Sequence, residues 1–252
     1  MRDPAQYARF SDERSRPFFN LLDRVPQRPF QSIVDLGCGS GELTVALSDK
    51  WPEGKVLGYD NSPQMLAKAD PFVRPGRLEF EFGAIEDFDR PYDLIYSNAA
   101  LQWTNDHETL FPRLARLVNP GGAFAVQMPH SFDQPSHLTL EDLAHSEKWA
   151  PKLSSWGRMK VKPTVWYANL LMEMGFEVDS WETTYNFVLQ GENPVLEWVK
   201  GTSLQPILTL LAPEERDEFT SLYAARLREL YPATPSGTVY PFKRIFFVAT
   251  RS

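Results

Sequence analysis

Cysteine is almost absent from this chain of 252 residues, with Cys38 as its only representative. One cysteine excludes an intramolecular disulfide and a cluster of thiolate ligands, and no spacing of His, Asp and Glu suggests a metal site. The sequence has no apolar run long enough to cross a bilayer, and its N-terminus lacks the apolar core of a signal peptide. We therefore expect a soluble, cytoplasmic protein that holds no metal and inserts into no membrane.

An excess of positive charge is also missing. The chain has 26 Lys and Arg against 33 Asp and Glu, a formal net charge of −7. Proteins that bind nucleic acid carry basic stripes because each phosphate contact needs a cation, and this chain has none. We expect a small-molecule substrate and no nucleic-acid partner. We interpret the apolar C-terminal strand as interior sheet and not as an interface, and therefore expect a monomer.

The remaining composition is that of a globular protein, with 42% hydrophobic residues. From Ile33 onward, short apolar runs alternate with amphipathic helical patterns, which indicates βαβ units and a parallel sheet. Ser62 and Pro63 have the pattern of an N-cap and first residue of a helix that continues to Ala69. Asn119 to Gly122 predicts a break before the fifth strand. The predicted strands are 33–36, 56–59, 78–82, 92–97, 123–128, 176–185 and 245–250.

Three segments, 1–30, 129–162 and 190–240, do not follow this alternation. We predict a single α/β domain over 1–252, with a cofactor-binding core at 31–128. Ligands bind outside the carboxyl ends of the strands in open α/β sheets. We therefore expect 129–162 and 190–240 to be helical insertions that form a lid over this edge, and 1–30 to be a mobile N-terminal flap.

A glycine-rich loop follows the first predicted strand, with Gly37, Gly39 and Gly41 in the spacing G-x-G-x-G. A dinucleotide loop has the wider spacing G-x-G-x-x-G, which holds a pyrophosphate at a helix N-terminus. Asp35 precedes the glycines, and its charge would repel a pyrophosphate but suits the cationic amino group of a methionine moiety. The spacing and the acid together predict a site for S-adenosylmethionine.

Asp60 ends the second predicted strand. A carboxylate at this place can accept hydrogen bonds from both ribose hydroxyls of a nucleoside, one with each oxygen. The alternative is a structural βα turn followed by an acid that caps a helix. The agreement of loop, spacing and acid favours the cofactor.

These residues resemble the class I S-adenosylmethionine-dependent methyltransferases. Residues 34–41, VDLGCGSG, are similar to the first motif of that family, and residues 57–62, LGYDNS, to the second. The resemblance implies a Rossmann-like sheet of seven strands whose last strand is antiparallel, and S-adenosylhomocysteine as the product left by the cofactor. The cofactor-binding residues that follow are Asp35, Gly37, Gly39, Gly41, Asp60, Asn61, Ala84, Ile85 and Asn98.

One position departs from that family's pattern. Its third strand commonly ends in an acid that binds the adenine amino group, and Ala84 stands here instead. Either Glu86 reaches the adenine, or the backbone of Ala84 and Ile85 recognises it alone.

A narrower resemblance, to the trans-aconitate 2-methyltransferases, extends over nearly the whole chain. It implies that a monomethyl ester of trans-aconitate is formed, with related tricarboxylates as weaker substrates. The similar segments are 7–18, 97–103, 126–129, 197–202 and 240–246.

A carboxylate substrate needs no catalytic base, because it is already ionised at pH 7. Alignment with the methyl group and exclusion of water are then the main requirements. We therefore assign no catalytic residue, and we interpret His130 and His137 as surface or hydrogen-bonding residues.

Three substrate carboxylates do need cations, and arginine pairs them best. We expect Arg14, Lys200 and Arg244 to hold the carboxylates that are not methylated. The candidates in the family-like segments are Tyr7, Arg14, Arg16, Trp103, Lys200, Tyr240, Lys243 and Arg244.

Three other functions remain possible on the residues alone. The first is methylation of another carboxylate, such as malonyl-carrier protein, although an acidic carrier would require a basic docking face that a charge of −7 does not suggest. The second is a nicotinamide-dependent oxidoreductase, which the glycine spacing and Asp35 disfavour. The third is a non-catalytic module that binds S-adenosylmethionine.

Overall fold

The computed structural model of the protein describes residues 15–157 and 161–252. These residues form two compact units. The first comprises residues 15–129, 161–183 and 244–252, and the second comprises 130–157 and 184–243.

A seven-stranded sheet has the strand order β3-β2-β1-β4-β5-β7-β6. Its first five strands pair in parallel, and β7 pairs antiparallel with β5. This confirms the predicted sheet and its antiparallel last strand. The strands are β1 (Ser32–Leu36), β2 (Lys55–Asp60), β3 (Leu78–Phe82), β4 (Tyr92–Asn98), β5 (Val118–Pro129), β6 (Phe176–Leu189) and β7 (Thr238–Arg251).

The order of the strands determines where a site can lie. β1 is flanked by β2 and β4, and all three run in the same direction. Their carboxyl ends therefore meet at one edge, which brings the glycine loop after β1 next to Asp60 and Asn98 at the ends of its neighbours.

The helices of the first unit connect these strands. Ser62 is the predicted N-cap of the helix Pro63–Ala69, and its side chain accepts a hydrogen bond from the backbone N–H of Met65. Gly175, with φ +87°, ends the helix Thr164–Glu173. The helices are α1 (Arg16–Leu22), α2 (Thr44–Lys50), α3 (Pro63–Ala69), α4 (His107–Arg116) and α7 (Thr164–Glu173).

The core of the first unit packs helices against the sheet, with Phe111, Phe124 and Phe247 among its buried residues. Helix α1 belongs to the same unit, because Phe18 is buried and its carbonyl oxygen accepts a 2.6 Å hydrogen bond from Tyr96 Oη. Residues 15–30 of the predicted flap thus contribute to the first unit, and residues 1–14 lie outside the described residues.

The second unit is mainly helical and has a core of its own. Trp149, Phe219 and Tyr223 are fully buried there, and the Trp149 and Phe219 rings meet edge to face. Its helices are α5 (Pro135–Ala144), α6 (Ala150–Leu153), α8 (Pro194–Val199), α9 (Gln205–Leu210) and α10 (Pro213–Leu230).

One predicted boundary is wrong. The sequence predicts a break at residues 119–122 and a fifth strand that begins at residue 123, but Val118 already begins β5. Val118 pairs with Tyr92, and Ala123 pairs with Leu94, so the residues between them form a bulge in the ladder. Gly121, with φ +74°, allows the bulge.

Across the described ranges, no helix combines the length and apolar character needed to cross a membrane.

Candidate active site

The glycine loop is anchored to the neighbouring strand. The backbone N–H of Gly37 donates a 2.7 Å hydrogen bond to Tyr59 O, and Gly41 N–H closes the turn on Cys38 O at 3.1 Å. Gly37 has a φ of +78°, and a Cβ added there would lie 2.1 Å from the Cβ of Ala100. Glycine is therefore required where this loop approaches the segment after β4.

Gly39 has a different environment. Its φ is +56°, and an added Cβ would meet no heavy atom of the described residues within 4 Å. On this side the described part of the chain leaves room for a ligand to approach the loop closely.

Asp35 is buried at the carboxyl end of β1. The hydroxyl of Thr44 donates a 2.6 Å hydrogen bond to Asp35 Oδ2. Burial raises the pKa of Asp35 to about 7, and the nearby Asp60 carboxylate adds to this effect, while the bond from Thr44 opposes it. A cation bound beside Asp35 would favour its ionised form.

Asp60 links the glycine loop after β1 to the segment after β2. Its Oδ2 accepts a 2.9 Å hydrogen bond from Gly39 N–H, and its Oδ1 accepts one of the same length from Ser62 N–H. Each oxygen of a carboxylate can accept two hydrogen bonds, so both retain a lone pair for a ribose hydroxyl. The neighbouring Asn61 is exposed.

The segment after β4 presents buried acceptors. Asn98 ends the strand, and its Oδ1 is buried without a hydrogen-bond partner among the described residues. Gln102 is also buried, and its Nε2 donates to Ala99 O at 2.7 Å while its Oε1 is left without a partner in the same part of the chain. Two such acceptors suit a ligand that carries N–H donors.

A buried histidine fixes this segment. His107 Nε2–H donates to Leu101 O at 2.9 Å, and its Nδ1 accepts from Tyr167 Oη at 2.7 Å. The Tyr167 oxygen accepts in turn from Lys162 N–H at 3.0 Å. Burial lowers the pKa of His107, so the neutral imidazole that this chain of bonds requires is the stable form.

The third strand ends near the expected adenine position. Ala84 and Ile85 are half-buried, whereas Glu86 is exposed. The guanidinium of Arg113 donates to Ile85 O at 3.0 Å and also to Phe88 O, which fixes the turn between them. A fixed backbone at Ala84 and Ile85 agrees with the second of the two ways to recognise adenine.

Three of the predicted substrate residues lie in the described part of the first unit. Arg244 is 8% exposed, and its Nη1 donates a 3.0 Å hydrogen bond to Oε1 of the fully buried Gln127. Trp103 is 56% exposed in the short helix Leu101–Trp103. Arg16 is exposed at the start of α1.

Other predicted substrate residues lie in the second unit. Tyr240 is buried in that unit's core, where its hydroxyl and the hydroxyl of Ser136 are 3.2 Å apart. Lys200 is exposed, with Nζ 3.5 Å from the Glu197 carboxylate. Lys243 forms an ion pair with Asp133 at 3.6 Å. Tyr7 and Arg14 lie outside the described residues.

The two histidines of the first insertion also belong to the second unit. His137 Nε2 lies 2.9 Å from the hydroxyl of Ser203, and the ring of His130 packs against Phe132. In the described parts of the chain, no group of three His, Cys, Asp or Glu side chains has the arrangement of a metal site.

The residues at the edge of β1, β2 and β4 fit S-adenosylmethionine. Asp35 and Asp60 have no cationic partner among the described residues, which suits a cofactor with a positive sulfonium and amino group. At Gly39 the described residues leave space for the cofactor to approach the backbone of the glycine loop. This sheet, with G-x-G-x-G after β1 and an acid after β2, defines a class I S-adenosylmethionine-dependent methyltransferase.

Comparison with known proteins extends this assignment. A family model described as a methyltransferase domain matches residues 33–122. A trans-aconitate 2-methyltransferase of Streptomyces avermitilis is 46% identical over 98% of this chain and 96% of its own length. One from Streptomyces coelicolor is 43% identical over 99% of this chain and 86% of its own. The chain belongs to the trans-aconitate 2-methyltransferase family and is an S-adenosylmethionine-dependent enzyme.

The fold is shared more widely. The YcgJ protein from Bacillus subtilis superposes with a TM-score of 0.62, covering 94% of this chain and 98% of its own, at 15% sequence identity. At this identity the likeness concerns the fold alone.

Sequence reasoning missed several residues of this region. Thr44 and Tyr167 act through hydrogen bonds to residues far away in the sequence, which no local pattern reveals. Gln127 did carry a signal, since it is the one polar residue in the apolar run 123–128 of β5. A polar side chain in a strand buried on both faces indicates a specific partner.

Proposed function

We propose that this enzyme transfers the methyl group of S-adenosylmethionine to one ionised carboxylate of trans-aconitate or a related tricarboxylate, giving the monomethyl ester. The observation that carries the proposal is the 46% identity to a trans-aconitate 2-methyltransferase over 98% of the chain. That similarity extends well beyond residues 33–122, the part that the general methyltransferase model matches.

The bound cofactor supplies an electrophilic methyl group on a sulfonium. Asp35, Asp60 and the backbone of the glycine loop would hold it, with Asn98 at the end of β4 beside them. Ala84 and Ile85 would contact the adenine through their backbone, and Asn61 would lie beside the ribose. The two carboxylates offset the positive charge that the cofactor brings into the site.

The transfer needs no proton acceptor. A substrate carboxylate oxygen forms the new bond to the methyl carbon as the carbon–sulfur bond breaks, and the sulfur keeps the electron pair. A negative oxygen and a positive sulfonium thus become a neutral ester and a neutral thioether, without release of a proton. The protein contributes alignment of the two groups and exclusion of water.

Among the described residues of the first unit, Arg244 is the predicted substrate cation that is buried, and a buried guanidinium pairs well with a carboxylate. Tyr7, Arg14, Arg16, Trp103, Lys200 and Tyr240 are proposed as further substrate residues, and the lid function of 129–162 and 190–240 is proposed with them. Single substitutions that leave the apparent affinity for the acid unchanged would remove a residue from this set.

The first test measures S-adenosylhomocysteine formation with a panel of acids that includes trans-aconitate, cis-aconitate, citrate and isocitrate. We expect the fastest turnover with trans-aconitate and a product heavier by one methylene group. A weakly buffered assay with a pH indicator should show no proton release. Turnover of a malonyl-carrier protein alone, or of none of these compounds, would contradict the proposal.

A further inference from the structure

A buried polar cluster lies at the carboxyl ends of β4 and β5, within the first unit. Gln127 of β5 pairs in register with Asn98 of β4, and Pro129 pairs with Arg244 of β7. Gln127 has an exposure of 0%, although its strand neighbours Val126 and Met128 are apolar. An amide in such a place requires partners for both of its ends.

Only one end of this amide has a partner in the described parts of the chain. Arg244 Nη1 donates to Oε1 of Gln127 at 3.0 Å. Because a guanidinium has no acceptor, this bond fixes which end of the amide is the oxygen. Nε2 therefore points away from Arg244, and it has no hydrogen-bond partner among the described residues.

An unsatisfied buried donor has a cost in stability. Native proteins pair nearly all of their buried N–H groups, so a donor kept without an acceptor indicates a ligand that supplies one. The nearby positive charge of Arg244 makes a negative acceptor the favourable one. A carboxylate oxygen meets both requirements.

We infer that Gln127 is a substrate-binding residue whose Nε2–H donates to a carboxylate of the acid substrate, and that Arg244 orients the amide and supplies the positive charge beside it. This inference rests on the proposed function, since it identifies what binds the acid in that reaction. Strand β5 would then help to select the substrate through the side chain of Gln127.

The test compares Gln127→Met with the wild type. Methionine has a similar length and volume but no N–H donor. One lost hydrogen bond to a charged group corresponds to a rise of roughly 10–100-fold in KM for the acid. The dissociation constant of trans-aconitate from the S-adenosylhomocysteine complex should rise by the same factor, while cofactor affinity stays within twofold. In Gln127→Glu the loss should be larger, because the new carboxylate would pair with Arg244 and repel the substrate.

Gln31→Met is the matched control. Gln31 is exposed in the first unit and directly precedes β1, at the opposite end of that strand from the glycine loop. This variant should keep wild-type values of KM and of both dissociation constants.

A measurement on the wild type does not depend on the folding of a variant. The side-chain amide resonance of Gln127 should shift when trans-aconitate is added to enzyme saturated with S-adenosylhomocysteine. No shift, or an unchanged KM in a folded Gln127→Met, would overturn the inference while the wild type still methylates the acid. If the wild type methylates no tricarboxylate, the proposed function itself fails.

Discussion

At the scale of single residues, Asp35 shows how burial prepares a site for a charged ligand. Its pKa of about 7 arises from removing a carboxyl group from water, and the hydrogen bond from Thr44 only partly compensates. A cationic ligand placed beside it would stabilise the carboxylate and release a proton. Binding and ionisation are therefore linked.

We predict that the affinity for S-adenosylmethionine increases about fivefold between pH 6 and pH 7, because the ionised fraction of a group with a pKa near 7 grows by that factor. Isothermal titration calorimetry in buffers of different ionisation enthalpy would report both the affinity and the released proton. In Asp35→Asn, which keeps an acceptor for Thr44, binding should be weaker and independent of pH in this range.

The same pKa has a consequence for folding without cofactor. Asp35 binds its proton more tightly in the folded state, where its pKa is about 7, than in the unfolded chain, where the usual value is 3.8. Its contribution to stability is therefore fully present below about pH 4 and is lost as the pH rises towards 7. Urea unfolding should show a difference between wild type and Asp35→Asn that changes over this range. A constant difference would contradict the raised pKa.

At the scale of secondary-structure elements, the segment after β4 depends on two helices. His107 is the first residue of α4, and Tyr167 lies in α7. Their hydrogen bonds end on Leu101 O and so fix the short helix that carries Gln102 and Trp103. Two helices that are distant in sequence therefore determine the conformation of the segment after β4, which carries the buried acceptor of Gln102.

We predict that Tyr167→Phe lowers the free energy of unfolding by about 1–3 kcal/mol, because it leaves His107 Nδ1 and Lys162 N–H without their shared partner. Urea denaturation followed by circular dichroism would measure the change. Tyr92→Phe is the control, since among the described residues the Tyr92 hydroxyl interacts with the charges of Arg90 and Glu81 but forms no hydrogen bond, and it should differ from the wild type by less than about 0.5 kcal/mol. Equal effects of the two substitutions would contradict this account.

At the scale of the whole molecule, the chain forms two units with separate cores, and the described residues of the cofactor site all belong to the first. A ligand that binds only the folded protein stabilises it by mass action. At a concentration of 100 times its dissociation constant the gain is about 2.7 kcal/mol.

We predict that this concentration of S-adenosylmethionine raises the melting temperature by roughly 5–10 °C, as expected for a chain of this length. Differential scanning fluorimetry would measure the shift. Asp60→Asn removes the charge but keeps an acceptor, and it should reduce the shift by half or more at the same cofactor concentration. An undiminished shift would show that Asp60 does not hold the cofactor.

Much of the first unit could be predicted because its signals are local. The cap at Ser62 and the spacing of Gly37, Gly39 and Gly41 each act within a few residues, where backbone conformation is determined by side-chain chemistry. The bulge at residues 119–122 could not be predicted, because pairing of Val118 with Tyr92 outweighs the tendency of Asn-Pro-Gly-Gly to end a strand.

The sequence by itself determined the alternation of strands and helices, the cofactor loop and the acid that follows β2, since each is a pattern of residue types at fixed spacing. Only the tertiary structure decided that Thr44 meets Asp35, that Tyr167 meets His107, and that Arg244 orients Gln127. These contacts join residues brought together by helix packing and by the antiparallel pairing of β7 with β5. Their energies come from burial and hydrogen bonding, which depend on what surrounds a side chain in space rather than on its neighbours in the chain.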